Sequence, residues 1–304
     1  MTEPIHQLGH QTAVQSIFNP SITVITVTKG RNRRVLSAIS SVWSQTFPGP
    51  LEHLLVVDSD SGACPPQVTQ LTCPAGREVR SILVPRPEDE WGACGESRGS
   101  VYGRIARLFN LGARTARAPW ITYLDDDNEF ETTHLESLRR LANAETAPAV
   151  HSGRCVYWSD GSPYLDPVFP WAADREEGLR IHALLRHRGT WVPGTNVLCD
   201  TVDVSAPTFR NSTVMTDEDP TFLVDQNVWL LHRELVLRLP FPETFSEEEI
   251  AMNTCPDDKF LEVLVRNGIP IVNSGKPTVR YFLGGVSNRL ERDRSTGVIT
   301  GAAS

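Results

Sequence analysis

The chain has 304 residues, 40% hydrophobic and 22% charged, an ordinary globular composition with room for one large α/β domain or two smaller ones. Its 29 basic and 37 acidic residues give a formal net charge of −8, which argues against a protein that binds the phosphate backbone of nucleic acid. No apolar run is long enough to span a bilayer, and Met1-Thr2-Glu3-Pro4-Ile5-His6 opens no signal peptide, so no integral membrane segment is expected.

Ile22 to Val27 reads as a buried strand. After Lys29-Gly30-Arg31-Asn32 the period changes, and Val35, Leu36, Ile39, Val42 and Trp43 fit one helix face that Phe47-Pro48-Gly49-Pro50 ends. Leu51 to Val57 is a second strand, running into the polar turn Asp58-Ser59-Asp60-Ser61-Gly62. Val79 to Val84 is a third, weaker strand. Pro85 to Gly99 is a loop rich in Gly, Pro and charge, and Val101 to Ala116 a helix with Ile105, Leu108, Phe109 and Gly112 on one side. Trp120 to Leu124 has high β-propensity and leads straight into Asp125-Asp126-Asp127-Asn128.

Thr133 to Ala144 reads as a helix and Val150 to Tyr157 as a strand. From Ser159 to Asp225 periodicity fails, and so long an irregular stretch inside a compact protein points to function. Order returns over Asn227 to Leu239. Pro256-Asp257-Asp258 then opens a helix with an acidic start, an apolar stripe and a terminating Gly268. Ile269 to Val272 and Thr278 to Phe282 are late strands. The polar tail from Glu291 is expected to be mobile. This alternation is the pattern of an open α/β sheet with crossover helices.

The acidic run carries the chemistry. Adjacent carboxylates repel one another, so a fold that gathers them supplies a cation or hydrogen-bond donors. Hard carboxylate oxygens suit magnesium, manganese or calcium. In α/β sheets ligands bind beyond the carboxyl ends of strands, where this run stands. The six cysteines, Cys64, Cys73, Cys94, Cys155, Cys199 and Cys255, form no C-x-x-C pair, which points to reduced thiols in a cytosolic protein.

From Ser21 to Asn288 the chain resembles the family-two glycosyltransferases of the GT-A fold. Ser41-Val42-Trp43-Ser44-Gln45-Thr46 matches that family's S-V-x-x-Q-T, and Val56-Val57-Asp58-Ser59-Asp60 its V-V-D-D-G-S, with Ser59 where the second Asp is usual. Asn110-Leu111-Gly112 with Ala116 matches an N-x-G-x-x-x-A helix. Asp125-Asp126-Asp127 matches the D-x-D metal motif, and Phe241-Pro242-Glu243 with Asp257-Asp258 the late F-D-E and E-D segments.

The resemblance implies a Rossmann-like, mixed, mostly parallel sheet flanked by helices, as a single domain with irregular acceptor-side insertions. Residues 21–145 would form the nucleotide-sugar half, 146–290 the acceptor and base half, and 291–304 the tail. It implies an inverting transferase of hexosyltransferase type that uses Mn2+ or Mg2+. The donor is a nucleotide sugar, by resemblance UDP-linked. The acceptor is a hydroxyl of glycan, lipid-linked or natural-product type, reached from the aqueous side if membrane-bound. A homodimer is left open.

The same resemblance puts the metal on Asp127 and the nucleotide sugar on Asp125 and Asp58, with Asp126 in support. Thr26 and Thr28 line the same pocket by position, and Arg104 is a candidate for its phosphate. Asp258 takes the base role, with Asp257 beside it as the alternative register. Arg280 and Arg289 flank Tyr281 to Asn288, whose glycines suit a lid over the diphosphate. Arg98 and Arg107 are further candidates for phosphate. His182, His187 and His232 read as extra metal ligands or as structural residues, and Trp158, Trp171 and Trp191 as sugar platforms or as packing for a loop-rich core. Two other functions stay open: a sugar-phosphate nucleotidyltransferase, and an inactive sugar-nucleotide-binding protein.

Overall fold

The structure is a computed structural model that describes residues 19–29, 34–59, 72–85, 98–204, 215–284, 290–292 and 299–301. In chain order the elements are β1 (Ile22–Thr28), α1 (Val35–Trp43), β2 (Leu51–Ser59), β3 (Arg77–Pro85), α2 (Arg98–Thr115), β4 (Trp120–Tyr123), β5 (Glu129–Phe130), α3 (His134–Glu145) and β6 (Ala149–Tyr157). There follow α4 (Arg175–His187), β7 (Val197–Leu198), β8 (Thr201–Val202), β9 (Phe222–Leu223), β10 (Trp229–His232), α5 (Arg233–Arg238), α6 (Glu247–Ala251), α7 (Pro256–Arg266), β11 (Ile271–Phe282), β12 (Leu290–Arg292) and β13 (Ile299–Gly301).

Nine strands form one mixed sheet in the order β3-β2-β1-β4-β10-β6-β11-β5, with β7 paired to β6. β1, β2, β3 and β4 run parallel, and β6 and β11 run parallel to each other. β10 lies antiparallel between β4 and β6, so the two parallel groups share one direction. This is a Rossmann-like α/β domain with a mostly parallel sheet flanked by helices, the architecture expected of a GT-A fold. β1 and β2 are buried along almost their whole length, as central parallel strands covered on both faces must be.

Three differences from the sequence reading have physical reasons. The two late strands are one, because register shifts at Asn273/Pro277 and Pro277/Val279 let β11 absorb a proline and a polar turn without leaving β6. Within 159–225 there is a helix, α4, capped by Asp174, whose carboxylate accepts from the Glu177 amide. Its mean hydropathy is low, and the prolines and aspartates around it hid the apolar face of Ile181 and Leu185. The tail contributes β12 and β13, which pair antiparallel.

A large core draws on both halves of the chain, from Ile22, Leu54 and Tyr123 to Val228, Phe241 and Phe260. At its centre Phe241 stacks on Phe260 at 4.0 Å and meets Tyr123 edge-on at 5.3 Å, contacts worth about 0.5–1.5 kcal/mol each beyond burial. A second cluster joins Tyr164, Phe169, Trp171, Trp191, Leu198 and Tyr281. Trp171 and Trp191 are buried in it and Trp158 packs against it, so these rings fill a core. Among the described residues no helix is long and apolar enough to cross a membrane.

Candidate active site

Parallel register brings the ends of β1, β2 and β4 to one edge of the sheet. Thr28 pairs with Val57, Ile25 with Tyr123, and the Leu124 amide donates to the Ile25 carbonyl at 3.0 Å. Asp125 to Asn128 then leave β4 as a turn, closed by the Asn128 amide on the Asp125 carbonyl at 3.2 Å. The run is therefore not extended. Asp126 folds back to accept from the Thr28 hydroxyl at 2.5 Å. Asn128 is buried, and its Oδ1 accepts from the Phe282 amide at 2.8 Å, which ties the turn to β11.

β10 runs opposite to β4, pairing Leu231 with Ile121, so the residues before it lie beyond the carboxyl end of β4. That places Gln226 and Asn227 against Asp125. Gln226 Nε2 and Asn227 Nδ2 each donate to Asp125 Oδ2 at 2.8 Å, and Asn227 Oδ1 accepts from the Asp125 amide at 2.6 Å. Desolvation, then the charges of Asp127 and Asp225, push the Asp125 carboxyl up to about 8 against the pull of those amides. Asp127 is pushed up to about 6 by desolvation and Asp126, opposed by Arg34. Arg34 itself stacks over Phe282 at 4.3 Å and donates to the carbonyls of Asp127 and Ser159.

The second acidic pair arrives on α7. Pro256 stands at the first helical position, where its missing N–H costs nothing. Asp258 reaches back to cap the helix: its Oδ2 accepts from the Cys255 amide at 3.0 Å and from Cys255 Sγ at 2.8 Å. Asp258 is pushed up to about 6, chiefly by desolvation. Asp257 is also raised, by desolvation, then by Asp258 and Asp225. Both acids sense Asp225 and the cation Arg154.

Asp225 is thus the meeting point of the site. Its charge acts on Asp125 and Asp127 from one side and on Asp257 and Asp258 from the other. Arg154, on β6, ion-pairs with Asp225 and stands 3.3 Å from Asp200. Burial alone would lower the Arg154 pKa, and the two carboxylates outweigh it and raise it. Asp200, fully buried, is pushed up to about 7 by desolvation. None of Arg154, Asp200, Asp225 and Asn227 was expected from the sequence as a site residue. The one signal for Asp200 and Asp225 was their place inside the irregular stretch.

Asp58 and Arg104, expected to line a nucleotide pocket, meet each other: Arg104 Nη2 donates to Asp58 Oδ1 at 3.0 Å, both side chains buried. Thr26 is buried one strand in, its hydroxyl 2.9 Å from His53 Nε2. Arg280 does not stand on a closing loop. It lies on β11 between Cys155 and Glu129, ion-pairs with Glu129 at 2.7 Å, and stacks over Tyr157 and Phe282, because Val279 to Phe282 are hydrogen-bonded into the sheet. Arg289 and the side chain of Arg98 lie outside the described residues. Arg107 is 3.8 Å from Glu243. His182 packs against Trp191 and His232 against Trp120, away from the acidic run.

The other motif residues build the frame. Ser41 accepts from the Phe130 amide, Gln45 bonds Glu131 O and the Leu135 amide, and the Thr46 amide bonds Thr132 O, so all three hold the segment just after the acidic run. Asn110 clasps both Phe241, through N and O, and Glu243 Oε1 at 2.8 Å. Gly112 admits the close approach of α2 to β1: a Cβ there would stand 2.5 Å from Ile25 Cγ2.

Among the described residues no three His, Cys, Asp or Glu side chains gather into a ready-made metal cage. The acids of the run still suit a hard divalent cation: desolvation first, then neighbouring carboxylates, pushes Asp125 and Asp127 towards the neutral form, and a cation there would offset both. One or two carboxylates suffice for magnesium when substrate phosphates supply the other ligands.

No protein-family model matches the chain, and no curated protein matches it. Among solved structures, TarS of S. aureus, residues 1–349 in complex with UDP-GlcNAc, aligns with a TM-score of 0.50 at 12% identity over 87% of this chain and 59% of that one. The two chains share a fold. The same TarS fragment without that ligand gives 0.49 at 13% identity, over 86% and 60%. The chain thus spans about three fifths of the TarS fragment's length. At this identity the likeness to TarS is one of fold alone.

Proposed function

We propose that the protein is a metal-dependent, inverting glycosyltransferase that moves a sugar from a nucleotide sugar, UDP-linked as in the TarS complex, to a hydroxyl acceptor. The observation that carries this reading is the convergence on Asp225 of two carboxylate sets far apart in sequence, Asp125 with Asp127 and Asp257 with Asp258. The first set stands beyond the carboxyl end of β4 in a Rossmann-like sheet, where such folds bind nucleotides.

Asp127 holds the cation, Mn2+ or Mg2+, which when bound stabilises charge growing on the leaving diphosphate. Asp125, gripped by Gln226 and Asn227, orients the donor. Asp58 and Arg104 present a fixed polar pair to the nucleotide. We assign the base to Asp257 and a supporting role to Asp258, because Asp258 spends Oδ2 on the Cys255 backbone amide, while the Cys255 thiol bonds to both carboxylates. Asp257 takes the acceptor hydroxyl proton as the acceptor oxygen bonds to C1 of the sugar. The C1–O bond to phosphate breaks, and its electron pair leaves with the diphosphate.

A thermal-shift screen of sugar nucleotides, with and without manganese, followed by product analysis, tests the reading. A ligand that binds only the native state raises the unfolding temperature in proportion to the logarithm of its excess. Stabilisation by UDP-sugars that requires manganese, and an inverted anomeric coupling in the product, are expected. Indifference to every sugar nucleotide overturns it. Binding without turnover supports a binding protein instead.

A further inference from the structure

Arg154 is 2% exposed, and its guanidinium lies between the rings of Trp171, at 4.9 Å, and Tyr281, at 5.0 Å. Aromatic faces attract a cation but do not neutralise it. Its charge is met by Asp225 and Asp200, and the Asp225 amide also donates to Asp200 Oδ1 at 3.1 Å. The remaining Asp225 oxygen accepts from the Asn227 amide at 2.9 Å and from Asn227 Nδ2 at 2.7 Å. Asn227, fully buried, then holds the Asp125 carboxylate and the Asp125 amide. From Arg154 to Asp125 every link is a hydrogen bond, between groups that are buried as far as Asn227 and half-buried at Asp125.

Stability alone does not account for this chain of contacts. A buried ion pair is often no more stable than apolar residues of the same volume, because desolvation offsets the attraction. What the arrangement supplies is direction. The planar fork of an arginine can fix two carboxylates at once, which a lysine cannot. An Asn bonded on one side to Asp225 and on the other to Asp125 has its amide orientation set by both.

We propose that Arg154 is a positioning residue for the donor site: it fixes Asp225, and through Asp225 and Asn227 it sets the orientation of Asp125 and of the backbone that opens the acidic run. The name given to the site, a donor site, rests on the proposed function. The positioning itself does not.

The test uses the full chain without ligand first. Arg154→Lys keeps the charge and loses the fork, and Asp225→Asn keeps the shape and loses the ion pair. Far-UV circular dichroism and urea unfolding establish that each folds. Hydrogen exchange of the Asp125 amide, followed by NMR, is expected to quicken by on the order of tenfold in the variants, the loss of about one hydrogen bond. Exchange at Thr122 and Tyr123 is expected to stay as in the wild type. A merely structural role would shift the urea midpoint and leave the Asp125 amide protected relative to its neighbours. The same wild-type protection of Asp125 in every variant that folds would overturn the proposal.

UDP affinity in manganese is then measured by calorimetry, where a weakening of about tenfold is expected. Should the wild type bind no nucleotide while Asp125 loses protection in Arg154→Lys, the functional reading fails and the positioning role stands. Should UDP bind the wild type and Arg154→Lys alike, with Asp125 still protected in both, the positioning role fails and the functional reading stands.

Discussion

Asn227 holds Asp125 by two bonds of opposite sense, donating to its carboxylate at 2.8 Å and accepting from its amide at 2.6 Å. The contrast with Glu52, at the opposite edge of the sheet, shows what kind of acid Asp125 is. Glu52 is fully buried, yet the Thr23 hydroxyl, the Arg117 amide and Arg80 outweigh its desolvation and hold it below the usual carboxylate range. Asp125 also accepts several bonds and is still pushed up to about 8. Glu52 is a finished structural joint. The acidic run is left short of positive charge.

Asp127→Ala is expected to abolish metal-assisted turnover and to reduce UDP affinity in manganese to its metal-free level. Calorimetric titration of UDP with and without the metal measures this. Equal manganese-dependent affinity in wild type and variant would remove Asp127 from the metal site.

Asp257→Asn is expected to leave donor binding near the wild-type value and to cut kcat by a factor on the order of 10²–10⁴, the usual worth of a positioned base. Asp258→Asn is expected to act mainly on stability, by about 1 kcal/mol, through the cap of α7. Steady-state kinetics and urea unfolding of the two variants separate these effects. If Asp258→Asn is the crippling change, the two roles are exchanged.

Stability of the ligand-free protein is expected to fall as pH rises from 6.5 to 8.5. The folded protein holds protons on Asp125, at about 8, and Asp200, at about 7, which the unfolded chain has already released. Where the folded state binds more protons, stability drops with rising pH, here by on the order of 1–2 kcal/mol over the window. The histidines His53 and His134, pushed down to about 3, and His151 and His182, pushed down to about 4, all chiefly by desolvation, act the other way wherever the unfolded chain still binds their protons, so they offset part of the fall in the lower half of the window. Melting curves across the window check the slope, and saturating manganese with UDP is expected to flatten it. A melting temperature that rises over this range would contradict the raised carboxyls.

Gly112→Val is expected to destabilise the fold by about 1–3 kcal/mol, because even a Cβ there would stand 2.5 Å from Ile25 Cγ2 on a central strand. A lower urea midpoint with an unchanged slope is the expected signature. An unchanged midpoint would mean that α2 can move away from β1 at no cost.

The frame was legible where periodicity is strong. β1, α1, β2, α2 and β4 fall where the alternation of apolar residues placed them, within a few residues at each end. The strand-end position of the acidic run was legible for the same reason. The Arg154–Asp225–Asn227 chain was not. Its members stand far apart in sequence, on β6 and before β10, and only the antiparallel insertion of β10 between β4 and β6 brings them together. Local pattern carries no trace of such pairing. The S-V-x-x-Q-T residues were legible as a motif but not as a device, since their partners at residues 130–135 are bonded through backbone groups that any side chains would offer.

The second apolar cluster has a consequence for how this protein can diversify. Tyr164, Phe169, Trp171, Ile181, Leu185, Trp191, Leu198 and Met215 pack on one another and on Tyr281 and Leu283, whereas Phe222 belongs to the core that supports the acidic run. Members of that cluster other than Trp171 and Tyr281, which pack on Arg154, can change while the chain of contacts from Arg154 to Asp125 keeps its shape. Under the proposed function, change in what receives the sugar would then be separable from the chemistry that delivers it.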